Sequence, residues 1–242
     1  MKFTILTLFK DAYNGFLNTS IIKKAIEKGV VEVELIDIRD YTLDKHRHVD
    51  DTPYGGGAGM LMSVEPIYRA LKANYDPDAH ILITSPKAKP FNQAKAYELS
   101  KKDHVVIICG HYEGMDARCE LLADEKISIG DYVLTGGELP SMVVMDSVIR
   151  LLKEAINEDS LVDESYTQGL LEYPQYTRPY DFNGYKVPDV LLSGNHKNIR
   201  HYRLKMALLE TLKYRKDLLK NREFSKEELA ILKEIENELK EY

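Results

Sequence analysis

Residues 80–110 read HILITSPKAKPFNQAKAYELSKKDHVVIICG, and this stretch decides the fold. His80 to Thr84 and Val105 to Cys109 are short apolar runs of strand type, while Phe91 to Ser100 spaces its apolar residues as a helix does. A strand, a helix and a strand within about 30 residues form a crossover unit, which belongs to a parallel sheet. The pattern continues outward. Lys2 to Leu8 and Val30 to Ile36 read as strands, Leu17 to Lys28 and Val64 to Asn74 as helices, Lys126 to Ile129 as a further strand and Glu138 to Ile156 as a long closing helix. Residues 1–156 are therefore expected to form an α/β domain with a mostly parallel sheet.

The alternation stops at residues 157–168, NEDSLVDESYTQ, which are acidic, polar and poor in core residues and read as a linker. In residues 169–242, Pro174, Pro179 and Pro188 space an irregular segment, followed by helical patterns over Ile199 to Lys213 and Ser225 to Glu241. Ser225 with Glu228 fits a capping box. A small, mainly helical C-terminal domain is expected there.

The 44% hydrophobic content supports a real core and excludes a disordered chain. No run approaches the roughly 20 apolar residues of a membrane span, and no cleavage site follows the first apolar stretch, so a soluble cytoplasmic protein is expected. Cys109 and Cys119 form no CxxC pair and read as idle thiols. The formal net charge of -6 argues against a generally basic coat, yet residues 195–222 hold nine Lys and Arg against two acids, with His196, His201, Tyr202 and Tyr214 interleaved. That composition suits a phosphate backbone and unstacked bases, or a solvated helix face.

Three glycine-bearing loops stand out. Gly55, Gly56, Gly57 and Gly59 follow Pro53-Tyr54 in a loop suited to a phosphate, a base or a plain turn; it matches neither a Walker A loop nor a dinucleotide fingerprint. Residues 109–114 (CGHYEG) and 128–140 (SIGDYVLTGGELP) follow strand candidates, as does Thr84-Ser85-Pro86. In open α/β sheets small ligands bind at such carboxyl ends, where backbone groups would read an adenine and Ile129 and Leu134 would give apolar walls. His46, His48, Asp50 and Asp51 offer metal-ligand material or a solvated polar loop, with Asp50 able to accept from a guanine edge.

The order and wording of these segments resemble the bacterial tRNA (guanine-N1)-methyltransferases. RHVDDTPYGGGAGMLM (47–62), CGHYEGMDAR (109–118), SIGDYVLTGGELP (128–140), GLLEYPQYTRP (169–179) and VLLSGNHKNIRHYR (190–203) all occur in sequence, and the likeness runs from Phe3 to Lys220. The resemblance implies a deep trefoil knot in the α/β domain, an exception to the usual rules of chain connection. It implies methyl transfer from S-adenosylmethionine to N1 of guanine 37 in tRNA, by a homodimer with the active site at the subunit interface, and a dependence on magnesium with Glu113 as a contact. Carried over to this chain, the cofactor positions are Thr84, Ser85, Pro86, Gly110, Tyr112, Glu113, Ile129, Gly130, Asp131, Tyr132, Val133, Leu134, Gly136, Gly137 and Pro140. The tRNA-binding positions are Asp50, Gly55, Gly56, Gly57, Gly59, Lys197, Arg200 and Arg203.

The catalytic pair implied is Glu164, as the base that removes the N1 proton, and Arg150, facing the guanine O6. Glu164 stands where the family usually has aspartate, with Asp163 as the rival. His111 replaces a common arginine, and Lys87 and Ala88 replace glutamine and glycine. The alternatives are a knotted RNA methyltransferase with another target and a tRNA-binding protein without catalysis.

Overall fold

The computed structural model describes residues 1–74, 76–156, 164–167 and 169–240. The chain divides into two compact units, Met1–Glu158 and Asp159–Tyr242.

The first unit is built on five parallel strands, β1 (Lys2–Thr7), β2 (Glu32–Asp37), β5 (His80–Thr84), β6 (His104–Ile108) and β7 (Glu125–Ile127), in the order β2-β1-β6-β5-β7. Two-residue strands β3 (Asp50–Asp51) and β4 (Leu61–Met62) close a separate antiparallel hairpin around the first glycine loop. The helices are α1 (Asn14–Leu17), α2 (Ser20–Glu27), α3 (Val64–Ala73), α4 (Gln93–Leu99) and α5 (Glu138–Ile149).

Alternation along the strands sends side chains to two cores. Phe3, Ile5, Leu82, Val105, Ile107 and Cys109 pack with Ile22 and Ala25 of α2, Ala96 and Leu99 of α4, and Val144, Met145 and Val148 of α5. Leu6, Ile81, Ile83, Val106 and Ile108 face the other way, onto Ile67, Ala70 and Leu71 of α3 with Ile38 and Cys119. Both faces of the sheet are covered, which explains why its strands read as continuous apolar runs.

The sequence reading needs three local corrections. The helix expected over Leu17 to Lys28 starts later, as α2 at Ser20, because Asn18 donates its side-chain amide to Asn14 O (2.8 Å) and Thr19 its hydroxyl to Gly15 O, bonds that close off a separate short helix, α1, at Leu17. The helix expected to reach Ile156 ends at Ile149; Leu151 N and Leu152 N donate to Val148 O and Ile149 O in tighter three-residue turns, and residues 150–156 form turns and bends. Strand β7 ends at Ile127, and Ser128 instead bonds Lys89 O through its N–H (3.2 Å) and Phe91 N through its carbonyl (2.6 Å).

After β7, at one edge of the sheet, the chain returns to its middle. Gly137 N donates to Gly110 O (2.8 Å), and His111 bridges Gly136. A Cβ on Gly137 would meet the Thr84 hydroxyl, Cys109 Cα at 2.7 Å and Gly110 N at 2.9 Å, so only glycine allows this approach. Buried polar contacts hold the start of α5 in place. Thr7 Oγ1 donates to the Glu138 carboxylate (2.7 Å), and Tyr13 OH bonds Ser141 Oγ (2.6 Å). Glu138 also places negative charge in the first turn of α5, where the helix dipole favours it.

In the second unit the helix His196–Tyr214 packs on the helix Lys226–Lys240 through Ala207, Leu208, Ile231 and Ile235, joined by Leu170. The capping box is present: Ser225 N donates to the Glu228 carboxylate (2.7 Å), and Glu228 N donates to Ser225 Oγ (3.2 Å). Leu171 N donates to Thr211 Oγ1 (2.9 Å), fixing the start of the irregular segment to the longer helix. Asn183-Gly184, both at positive φ, turn a short hairpin between Asp181–Phe182 and Tyr185–Lys186. Most of the linker read over 157–168, and Glu241 of the last expected helix, lie outside the described residues.

Because Gly137 is enclosed by backbone, Gly137→Ala is expected to lower stability by about 3 kcal/mol in chemical denaturation, the upper part of the overpacking range. A loss below about 0.5 kcal/mol, as at an ordinary surface site, would contradict the close approach.

Candidate active site

The carboxyl ends of β5, β6 and β7 open into one cleft of about 450 Å³. Every expected cofactor position except Asp131 lines it: Thr84, Ser85 and Pro86 after β5, Gly110, Tyr112 and Glu113 after β6, and Ile129, Gly130, Tyr132, Val133, Leu134, Gly136, Gly137 and Pro140 after β7. Its volume lies within the roughly 300–1,000 Å³ of small-molecule sites. Ile129, Val133 and Leu134 supply apolar walls, and the glycines leave backbone N–H and C=O groups within reach.

The loop after β6 is held from below by the hairpin. Met62 N donates to Gly114 O (2.9 Å), Asp116 N to Met62 O (2.9 Å) and Glu113 N to Met60 O (3.1 Å). Gly55, Gly56, Gly57 and Gly59 all have positive φ, and Gly59 lies so close to the Glu113 side chain that a Cβ would overlap it. The glycine loop thus supports the loop that carries Glu113, although none of its glycines lines the cleft. Asp50 sits in β3 opposite Met62.

Sequence reasoning assigned no role to His111, yet its position is informative. Its ring contacts Phe9 (centroids 4.8 Å apart) and Tyr112 (5.0 Å), and its Nδ1 is buried with no hydrogen-bond partner among the described residues. The residue lines the cleft, while Nδ1 itself is turned toward Gly136, where a Cβ would come within 2.7 Å of it. The replacement of the common arginine was the only signal of it in the sequence. Met115 and Asp116, from the same 109–118 motif, also line the cleft, as do Cys119 and Lys126, which come from segments that carry no motif of their own.

The metal reading of the 46–51 loop changes. His48 Nδ1 pairs with Asp44 (2.9 Å), whose carboxylate also accepts from the backbone N–H of His46 and His48, so this loop organises itself about Asp44. Among the described residues no three His, Cys, Asp or Glu side chains converge as a metal cage.

The remaining expected residues lie elsewhere. Arg150 is the C-cap residue of α5 in the first unit. Glu164 belongs to the second unit, where it lines a groove of about 590 Å³ with Leu170, Tyr173, His196, Arg200 and Arg203; Asp163 lies outside the described residues. The Arg203 guanidinium lies over the Tyr173 ring, 4.9 Å from its centroid. Lys197 is exposed on the same helix and does not line the groove. Arg200 is paired with Glu227 (3.1 Å), a partner that the count over 195–222 did not include.

Residues 1–221 match the family described as tRNA (Guanine-1)-methyltransferase TrmD. The chain belongs to this family. Similar proteins named tRNA (guanine-N(1)-)-methyltransferase come from Dictyoglomus turgidum, 50% identical over all of this chain and 99% of its own length, and from Carboxydothermus hydrogenoformans, 53% identical over 96% of this chain and 92% of its own length. A third, from Shouchella clausii, is 49% identical over 97% of this chain and 98% of its own length. As a member of the TrmD family, the chain has the five-stranded parallel sheet as its scaffold, with the cleft at the sheet's carboxyl edge.

Both cysteines of this TrmD-family chain are free and buried. Burial pushes the thiols of Cys109 and Cys119 up to about 12 each, against about 8.5 for a free thiol. The unfolded chain loses these protons above pH about 8.5 while the folded chain keeps them, so stability is expected to fall as pH rises from there toward 12. At pH 8 iodoacetamide is expected to modify neither thiol in the native protein and both in denaturant; rapid native labelling would contradict the burial.

Proposed function

We propose that this chain transfers a methyl group from S-adenosylmethionine to N1 of guanine 37 in tRNA. The observation that carries the reading is the single cleft at the ends of β5, β6 and β7, lined by all but one of the positions the family resemblance assigns to the cofactor. The residues fit that group: apolar walls suit an adenine, open backbone groups suit its ring nitrogens, and the Glu113 carboxylate suits a cationic group. When bound, S-adenosylmethionine supplies an electrophilic methyl group on a positively charged sulfur.

The chain's own residues would do the rest. Neutral guanine carries a proton on N1, and a base must take it as the N1–carbon bond forms. Glu164 is that base; it moves the proton from N1 onto its carboxylate, and exclusion of water by the docked tRNA raises its basicity above that of a free carboxylate, about 4.3. Arg150 would face O6, where negative charge gathers as the proton leaves, so its guanidinium favours the transition state. Holding N1 in line with the methyl group accounts for much of the acceleration.

The two units divide this work. Residues 1–156 form the cofactor domain, 157–168 the linker and 169–242 the tRNA-binding domain, with Asp50, the 55–59 glycine loop, Lys197, Arg200 and Arg203 as tRNA contacts. The return of the chain from β7 to Gly110 supports a deep trefoil knot. A homodimer with its site at the interface is supported by α5, which is apolar on its outer face as well: Leu139 is 58% and Val143 43% exposed, and Val133 of the preceding loop 84%. A magnesium ion would find Glu113 as a single carboxylate, which suits an ion that keeps most of its waters. Among the described residues no helix is long and apolar enough to cross a membrane, which is consistent with work on tRNA in the cytoplasm.

The test is methylation of a G36-G37 transcript by pure enzyme, with mass-spectrometric mapping of the product. N1-methylguanine at position 37 is expected, and equal methylation of a transcript with G37 replaced would overturn the target. Glu164→Gln is expected to cut turnover by about 10²–10⁴-fold while leaving cofactor affinity within about twofold. A matching loss of cofactor affinity would remove Glu164 from the role of base.

A further inference from the structure

The helix His196–Tyr214 carries its cations in company. Arg200 pairs with Glu227 (3.1 Å), His201 with Glu234 (3.2 Å), and Lys205 with both Glu234 (2.6 Å) and Glu238 (2.7 Å). All three carboxylates come from the helix Lys226–Lys240, which begins after the last residue of the family match. Glu227, Glu234 and Glu238 recur at seven and four residues, so one face of that helix presents them together. The stretch 223–240 holds six carboxylates against three lysines, the reverse of the basic excess over 195–222.

Two arrangements would produce such a row. Pairs buried in a core serve to hold helices together, and breaking them is costly. Exposed pairs contribute little to stability and exchange partners readily. The Arg200 side chain is 77% exposed, and Glu227, Glu234 and Glu238 are all open to solvent to a large degree. Lys205 is the more covered member, at 17%, with its ammonium group at the end of a flexible stem between two carboxylates. The helices already have an apolar contact through Ala207, Leu208, Ile231 and Ile235. The ion pairs are therefore not needed to dock them.

We propose that Arg200, His201 and Lys205 form a phosphate-binding face for the RNA backbone, and that Glu227, Glu234 and Glu238 occupy it in the free protein as built-in competitors of phosphate. RNA must displace these carboxylates, which holds down affinity for the backbone and leaves selection to contacts elsewhere. The inference rests on the tRNA reading above and adds His201 and Lys205 to the contacts, with an occupant for the face when RNA is absent.

The salt dependence gives a specific signature. A cation that binds a phosphate releases the counterion that phosphate had held. Where the cation first leaves a carboxylate, that carboxylate regains a counterion, and part of the release is cancelled. Neutral side chains at the three positions should therefore make binding both tighter and more dependent on salt.

The experiment measures, with the full chain, the affinity of the G36-G37 tRNA transcript and of an unrelated structured RNA of similar size between about 50 and 200 mM salt. For Glu227→Gln/Glu234→Gln/Glu238→Gln, both RNAs are expected to bind about tenfold tighter at low salt, with the slope of log affinity against log salt steeper by about two. In an Arg200→Met/His201→Gln/Lys205→Met background the same three substitutions are expected to change affinity less than about twofold, because the competed groups are gone. Unchanged affinity and slope in the triple variant would overturn the proposal. So would an undiminished gain in the cation-free background, which would mark a general effect of lost negative charge. A third variant separates this inference from the reading beneath it. If Lys197→Glu/Arg200→Glu/Arg203→Glu leaves tRNA affinity unchanged, the tRNA reading of this helix fails and takes the inference with it. If that variant weakens binding while the glutamine variant does not strengthen it, the inference alone fails.

Discussion

The structure of the first unit depends on one backbone contact, that of Gly137 against Thr84, Cys109 and Gly110. Three chain segments meet there at van der Waals distance, with no room for a side chain. The contact brings the loop after β7 back to the middle of the sheet, and from there α5 can bury Val144, Met145 and Val148 beside Phe3, Ile5 and Ile107. It also forms the floor of the cleft. Fold and candidate site thus share a constraint, and a glycine meets both demands because it has nothing to bury and nothing to obstruct.

Around that contact the protein spends polar groups sparingly. Thr7, Glu138, Tyr13 and Ser141 satisfy one another where α5 begins, so a carboxylate is buried without a large penalty. Burial keeps the thiol of Cys109 and the phenol of Tyr13 protonated, the latter also through its neighbours Cys109 and Glu138. Against this background of closed polar networks, the open Nδ1 of His111 stands apart. The His111 ring lines the cleft where the family resemblance puts the cofactor, on a loop held in place by the glycine hairpin.

Much of this was legible in the sequence because the sheet is covered on both faces. Strands such as His80–Thr84 and His104–Ile108 are continuous apolar runs, and their limits were readable within a residue. The loops after β5, β6 and β7 carried motifs distinctive enough to name their residues. What escaped was set by side chains acting at short range or by distant parts of the chain. Asn18 and Thr19 delayed to Ser20 a helix that periodicity had begun at Leu17, and tight turns ended α5 at Ile149. The self-contained loop about Asp44 could not be foreseen from the spacing of His46, His48, Asp50 and Asp51. A local count of charges over 195–222 missed the acids of the last helix, since pairing across two helices has no signature in either one.

The central claim is that the loops returning to Gly110 hold the methyl donor. Hydrogen–deuterium exchange of the full chain with and without S-adenosylmethionine tests it most directly. Protection on binding is expected to concentrate in residues 84–86, 110–113 and 129–140, with the helix His196–Tyr214 little changed. Protection absent from those three segments, or confined to the second unit, would contradict the account.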